Sequence, residues 1–490
     1  MTRRGFERRP PTLTRGFAGA LVAFFCLAIL ASSAQREEGA DEVSESLALE
    51  RRLAARVSPE RAQGRVRELV EFGPRMGGTS SGQRAARWRA KVFEGMGLGV
   101  ELVQGEPAWC HEESSWTVVA HAQGQEPRIL ARAWPFGFSP AAKGRVTLST
   151  KPAKGRAWIG SQPSRAARRS EAAVLLVDGL TTPAGDYPAA RHLRAGAEAQ
   201  QPVFGLSRDE GAWLRETLAA GVPIEIEFEL EAVIRRAAPE TIVASLPGIQ
   251  PSASEQGQQR SYFLFCAHGD SDAGGPGAND NGSGEAIVLE IAQAWSAAVA
   301  AGEIARPPCE IRFAIWGTEI ASTRHFLKVE REAGHRILGV VNFDQSGFGT
   351  GLDVLYLEPD DLPANRGLIR AMLRVLDDHA GVEGFPARFA TTPSQGGTDS
   401  YVFSEHDAFQ SGLLPSLTLY ASAWDRANAL KRTPGMPGES WNEGDTVHID
   451  HDDYYHSAGD LPENTTDREP WNMAWSARIG WLGVRRWLGR

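Results

Sequence analysis

His268, Asp270 and Asp280 share one short segment, Phe265-Cys-Ala-His-Gly-Asp-Ser-Asp-Ala-Gly-Gly-Pro-Gly-Ala-Asn-Asp-Asn-Gly-Ser-Gly284. It follows the hydrophobic run Tyr262 to Ala267, and its other residues are mostly small. A buried strand that ends in an imidazole and two carboxylates packs poorly unless something binds there. Neutral imidazole and carboxylate oxygen are ordinary zinc ligands, so these residue types point to metal chemistry. Two further carboxylates follow other apolar runs: Glu319 lies three residues past Ile311–Trp316, and Asp344 directly follows Leu338–Phe343. A late region adds His448, His451 and His456 with Asp445, Asp450, Asp452, Asp453 and Asp460. Spacing alone does not choose a ligand among these.

The elements that must position them begin near residue 240, where strand patterns alternate with helix patterns. Tyr262 to Ala267, Ile311 to Trp316, Leu338 to Phe343 and Ser416 to Tyr420 read as strands. Ile287, Val288, Ile291 and Trp295 repeat at helical spacing in a helix that starts near Ser283. Such alternation predicts an α/β fold with a mostly parallel sheet covered by helices on both faces. Open sheets of this kind bind ligands at the carboxyl ends of their strands. His268, Glu319 and Asp344 all fall at that edge. Each has a structural alternative: Asp280 as a helix cap, Asp344 as a turn residue, Glu319 solvated, His268 a core histidine bonded to Asp270. All would have to hold together at one sheet edge, and that coincidence favours a site.

The chain of 490 residues, 42% of them hydrophobic, supports two or three domains and a large core. Its formal charge is −9 with Lys and Arg scattered, which argues against a nucleic-acid partner. Residues 1–34 read as an export signal: Arg3, Arg4, Arg8, Arg9 and Arg15, the apolar run Phe17 to Leu30, then Ala31-Ser-Ser-Ala34. Thr2-Arg-Arg-Gly-Phe6 is similar to a twin-arginine signal, with the general secretory route and an uncleaved membrane anchor as alternatives. Residues 35–57 are charged and without aromatics, which reads as a linker. A first part of the main domain follows at 58–109, with a helix capped by Ser58 and with Pro59 in its first turn. From 110 to 235 short strands separated by Pro and Gly suggest an inserted β-rich module. Within it Ile224, Ile226, Phe228 and Leu230 alternate with Glu225, Glu227 and Glu229. The main domain then runs through 236–490. Cys110, Cys266 and Cys309 allow at most one disulfide after the leader, so this is no disulfide scaffold.

Several motifs together resemble the secreted double-zinc aminopeptidases, a family that includes plasma glutamate carboxypeptidase, glutaminyl cyclases and the transferrin receptor. They are His268-Gly-Asp270, Gly277-Ala-Asn-Asp-Asn-Gly-Ser-Gly284, Glu319 after an apolar strand, Asn342-Phe-Asp344 and Tyr455-His-Ser-Ala-Gly-Asp460. Phe72-Gly-Pro-Arg-Met-Gly-Gly78 is similar to the family's start, and the insert resembles its protease-associated module. The resemblance implies a zinc exopeptidase-like fold. It implies that Asp280 bridges two zinc ions, that His268 and Asp344 complete one site, and that His456 serves the other. It makes Asp270 and Asp460 supporting carboxylates. Gly396-Gly-Thr-Asp-Ser400 resembles the family's Ser-Asp-His stretch, which gives Asp399 a similar role, although Thr398 and Ser400 depart from the pattern. The family usually has two adjacent glutamates after its second strand, a general base and a zinc ligand; here Glu319 is followed by Ile320. The ungapped register makes Glu319 the base and replaces one ligand with Ile320. A shifted register would make Glu319 the ligand and leave no base.

The reading that follows is an exported metallo-aminopeptidase acting on peptide or aminoacyl substrates, with one or two zinc ions and no membrane contact unless the leader is an anchor. Two alternatives stand beside it: a non-catalytic, degenerate binding module and a single-zinc glutaminyl cyclase-like acyltransferase.

Overall fold

The computed structural model describes residues 44–193, 201–249, 260–271, 274–349, 354–386, 388–391, 402–403, 414–422, 429–431, 446–448 and 452–489. The chain divides into two units, Met1–Ala55 and Arg56–Arg490. In the first, residues 44–54 form helix α1. This helix lies within the stretch 35–57 expected to be a linker: Leu, Ala, Glu and Arg dominate it, and these are strong helix formers.

The second unit carries two mixed sheets. The catalytic-type sheet contains β1 (Gly99–Gln104), β10 (Glu240–Leu246), β11 (Ser261–His268), β12 (Glu310–Trp316), β13 (Arg336–Phe343), β14 (Val354–Glu358), β15 (Arg388–Thr391) and β16 (Ser416–Tyr420). Their order is β1-β10-β12-β11-β13-β16-β14-β15. The middle four, β12, β11, β13 and β16, run parallel; β10 and β14 run antiparallel to them, and β1 pairs antiparallel with β10. The expected α/β sheet is therefore present, and all four strands read from the sequence lie in its parallel centre.

Alternation along β11 assigns its two faces. Tyr262, Leu264 and Cys266 pack with Trp316, Phe326 and Leu327, the last two on helix α7 (Ala321–Glu332). Phe265 faces the other way, between Phe313 at 5.8 Å and Phe343 at 6.3 Å, with its edge toward Trp295 on helix α6 (Gly284–Ala300). Trp481 of the last helix, Pro470–Leu488, closes over Trp295. Each such buried aromatic contributes roughly 1.5–3 kcal/mol of transfer free energy.

Helix α2 (Pro59–Glu71) begins as its sequence predicts: Ser58 Oγ accepts from Arg61 N–H at 3.1 Å, and Ala62, Val66 and Leu69 are buried. Helix α3 (Ser80–Gly95) is capped by Thr79. Between β1 and β10 the chain builds the second sheet from β2 (Ala108–Ala122), β3 (Arg128–Ile129), β4 (Trp134–Pro135), β5 (Ala142–Ser149), β6 (Ala157–Gly160), β7 (Val174–Val177), β8 (Val203–Gly205) and β9 (Ile224–Ala237). Helices α4 (Arg165–Arg169) and α5 (Arg208–Ala219) accompany it. Along β9 the aliphatic positions are buried and Glu225, Glu227 and Glu229 exposed, as the alternation requires. Cys110, Cys266 and Cys309 are buried and form no disulfide among the described residues. Among the described residues no helix is long and apolar enough to cross a membrane.

Candidate metal centre

Strand β11 ends on His268, and the chain then turns sharply. Gly269 is required there, because a Cβ would meet the Arg89 guanidinium and Ile315 at 2.7 Å. Gly277 adopts φ +65, where a side chain would also strike Ser271. A π-helical turn, Ala278–Ser283, with non-helical angles at Asp280 and Asn281, leads into α6. The α6 amide of Gly284 is held by the Asn281 side chain at 2.9 Å. Asp280 is thereby released from capping, so the helix-cap alternative for it fails.

What Asp280 does instead is face two imidazoles. Its Oδ1 lies 3.2 Å from His268 Nε2, and its Oδ2 lies 3.0 Å from His456 Nε2. Asp344 Oδ1 approaches the same His268 nitrogen at 3.5 Å. Ligand atoms of His268, Asp280 and Asp344 fall within 4.8 Å of one another. The Asp344 Oδ1 atom is buried, and this long approach to His268 is the contact it makes there.

Surrounding groups fix these orientations. His268 Nδ1 faces the Asp270 carbonyl at 3.1 Å and its carboxylate at 3.2 Å, which leaves Nε2 turned to the cluster. Asp270 Oδ1 also accepts the Glu319 backbone N–H at 2.9 Å, so one carboxylate ties the ends of β11 and β12 together. The two Asp460 oxygens accept the amides of Asn279 at 2.8 Å and Asp280 at 3.0 Å. Ile320 has φ +55, unusual for a β-branched residue, and packs against the apolar cluster of Trp316 and Phe326.

Electrostatics follow from this crowding. Burial alone would lower the His268 pKa, but hydrogen bonds to Asp270, Asp280 and Asp344 outweigh it and hold it well above its ordinary value. Burial pushes Asp280 up, yet its bonds to His268 and His456 bring it below the usual carboxylate range. Asp344 is raised by burial, with the Asp280 charge adding to the effect. Asp460 is raised strongly, by burial and then by the neighbouring Asp452 charge. Excess carboxylate in a buried pocket is the condition that a cation relieves. Two Nε2 atoms, a carboxylate shared between them and a buried, weakly bonded Asp344 oxygen suit a divalent metal of the zinc type.

The structure thus brings His268, Asp280, Asp344 and His456 together, with Asp270 and Asp460 behind them and the Glu319 backbone bonded to Asp270. Asp399 and the rest of 396–400 lie outside the described residues, as does His451; His448 lies in strand β18 (Thr446–His448), paired with β17 (Ala429–Lys431). Other participants were given no role by the sequence, Asp452 being one candidate among several late acids. Asp452, buried, takes Asn279 Nδ2 at 2.7 Å, and burial raises its pKa to about 6. Arg89 pairs with Glu285 at 2.5 and 2.8 Å and donates to the Gly269 carbonyl at 2.5 Å. Arg75 donates to the carbonyls of Pro276 and Gly277 at 2.8 and 2.7 Å. Its place in Phe72-Gly-Pro-Arg75 was the one available signal; arginines on amphipathic helices otherwise read as surface.

An α/β sheet whose parallel strand ends carry imidazole and carboxylates around a shared aspartate defines the class of metal-dependent hydrolase-type folds. Residues 242–478 match the model of Peptidase family M28. The second sheet lies outside the match, and its likeness to a protease-associated module rests on sequence resemblance alone. An aminopeptidase of Pseudomonas aeruginosa is 28% identical over 151 residues, 30% of this chain and 24% of that protein. A probable lipoprotein aminopeptidase of Mycobacterium tuberculosis is 25% identical over 333 residues, 66% of this chain and 60% of that protein. The matches to such curated relatives span only 24% to 60% of their lengths. The fold is that of a Peptidase M28 precursor from Shewanella amazonensis, with a TM-score of 0.59, 17% identity, and 91% and 97% of the two chains covered. It is also that of BSAP, a zinc aminopeptidase from Bacillus subtilis, with a TM-score of 0.53, 17% identity, and 87% and 94% covered.

Proposed function

We propose that this protein is a zinc-dependent aminopeptidase that removes amino-terminal residues from peptides. The observation that carries the reading is Asp280, a buried carboxylate whose two oxygens each face a different imidazole nitrogen, at 3.2 and 3.0 Å. The match to Peptidase family M28 and the names of the relatives support the same activity.

His268, Asp280 and Asp344 would hold one zinc ion. On the other side Ile320 lies in the apolar cluster, so Asp280 and His456 are left as the ligands named for a second ion, which binds more weakly. Bound zinc supplies charge stabilisation for a carbonyl oxygen and a water of pKa about 7. Glu319 takes the proton of the attacking water and delivers it to the leaving amine, a step worth about 10²–10⁴-fold. Asp270 keeps His268 Nδ1 protonated and holds the Glu319 backbone, so that base and ligand are set by one group. Asp460 fixes Asp280 through its amide. The Arg-rich leader, together with a relative named as a lipoprotein, supports export.

Counting zinc on purified protein and measuring amine release from aminoacyl anilides tests the reading. One or two ions and released amine are expected. Metal-free protein that releases no amine from any such substrate would leave the binding-module alternative.

A further inference from the structure

The His456 turn is held by more than its own domain. His456 has φ +48, an uncommon backbone state for a non-glycine residue. Its carbonyl accepts the amide of Ala190, at 2.9 Å, from the second sheet's loop. Two residues on, the Ala458 amide donates to the Pro188 carbonyl at 3.0 Å. The two segments form an antiparallel bridge, Ala189 with Ser457, around the metal-facing histidine. Next to it the Tyr187 ring meets the Tyr454 ring edge-on at 6.1 Å. Gly459 allows that approach, since a Cβ there would strike Tyr187 at 2.6 Å and Tyr454 at 2.8 Å. Tyr187 is itself anchored. Its amide and carbonyl both bond Thr182, and the Arg132 guanidinium stacks 4.0 Å above its ring. From the opposite side, Asp452 holds the Tyr454 amide at 2.7 Å.

We propose that the loop 182–190 of the second sheet is a positioning element for the metal-facing His456, with Tyr187 as its anchor residue. The inserted sheet is then part of the metal centre's construction as well as a neighbour of it. A strained backbone persists only where its surroundings over-determine it, and here half of those surroundings belong to the insert. Removing the Tyr187 ring frees the bridge, lets the 456 turn relax, and turns Nε2 away from Asp280. The inference rests on the reading of His456 as a zinc ligand.

Zinc binding to the full chain, followed by competition with a chromophoric chelator, tests it. Tyr187→Ala should weaken zinc binding by about 10–100-fold, the size expected when support behind a ligand is lost. Tyr187→Phe, which keeps the ring, should restore it. In a His456→Ala background Tyr187→Ala should add nothing, because the two act through one ligand. Unchanged zinc affinity in Tyr187→Ala, or an equal loss in both backgrounds, overturns the proposal while the metal reading stands. Wild-type protein that takes up no zinc defeats the metal reading itself. Hydrogen exchange gives a readout that needs no folded Tyr187 variant. The Ala190 and Ala458 amides should slow when zinc is added and should not slow in His456→Ala. Exchange unchanged by zinc in the wild type would overturn the joint.

Discussion

Asp280 is the residue on which the site turns, and its neighbours set the sharpest tests. Glu319→Gln should lower turnover by about 10²–10⁴-fold with zinc content unchanged, read by single-turnover hydrolysis and metal analysis. Zinc lost with the activity would make Glu319 a ligand and defeat its role as base. The His268 environment fixes a pH response. Its carboxylate partners overcome burial and raise its folded pKa above the unfolded value. A raised histidine pKa stabilises fully below about pH 6.5 and loses that contribution as pH rises through the folded pKa. Metal-stripped protein should therefore become less stable toward alkaline pH, as urea unfolding would show. Zinc displaces that proton, so its affinity should climb with pH over the same window, measurable by chelator competition. Residues that met in space from separate strand ends were legible in sequence because parallel strands deliver their last residues to one edge. His456 was legible only through resemblance, since nothing in the spacing of His448, His451 and His456 separates them. Asp452 and Asn279 stood in the motifs and candidate runs without a role: an acid inside an acidic run looks solvated until the fold buries it.

At the scale of elements, the turn that carries His268 and Asp280 is built between two helices of a different segment. Arg89 from α3 grips its first residues, and Arg75 from the α2–α3 connection grips its last. Arg89→Leu leaves Glu285 buried without its closest partner and should cost about 3–5 kcal/mol in urea unfolding. A loss within the range of surface substitutions, about 0.5 kcal/mol, would show that Arg75 alone satisfies Glu285. Phe265→Ala, in the stacked aromatic core, should cost a similar ~3–5 kcal/mol by the same measurement. The strands were legible because apolar runs of strand length alternated with helical periods. Helix α1 was not, because its charged composition reads as a linker when only aromatics and β-branched residues are weighed. The Arg89–Glu285 pair was hidden for a similar reason: buried charge is indistinguishable from surface charge in a sequence.

Over the whole molecule, metal and fold should be coupled. Zinc at about 100 times its dissociation constant should stabilise the protein by about 2.7 kcal/mol, lost on chelation, with the shift read as a fall in melting temperature. A melting temperature indifferent to chelator would mean that the cluster binds no metal strongly. The long-range meeting of residues 187–190 with 454–459 had no trace in the sequence, because no pattern of hydropathy or charge records which loops touch. The two exits of the second sheet have another consequence. Strand β1 leaves at Gln104 and β10 returns at Glu240, residues paired directly across one ladder. A turn of two to five residues could close that ladder without changing the strand order. A lineage could therefore gain or shed the whole second sheet by a single splice, and its retention would be decided at the His456 turn and not by the stability of the sheet it interrupts.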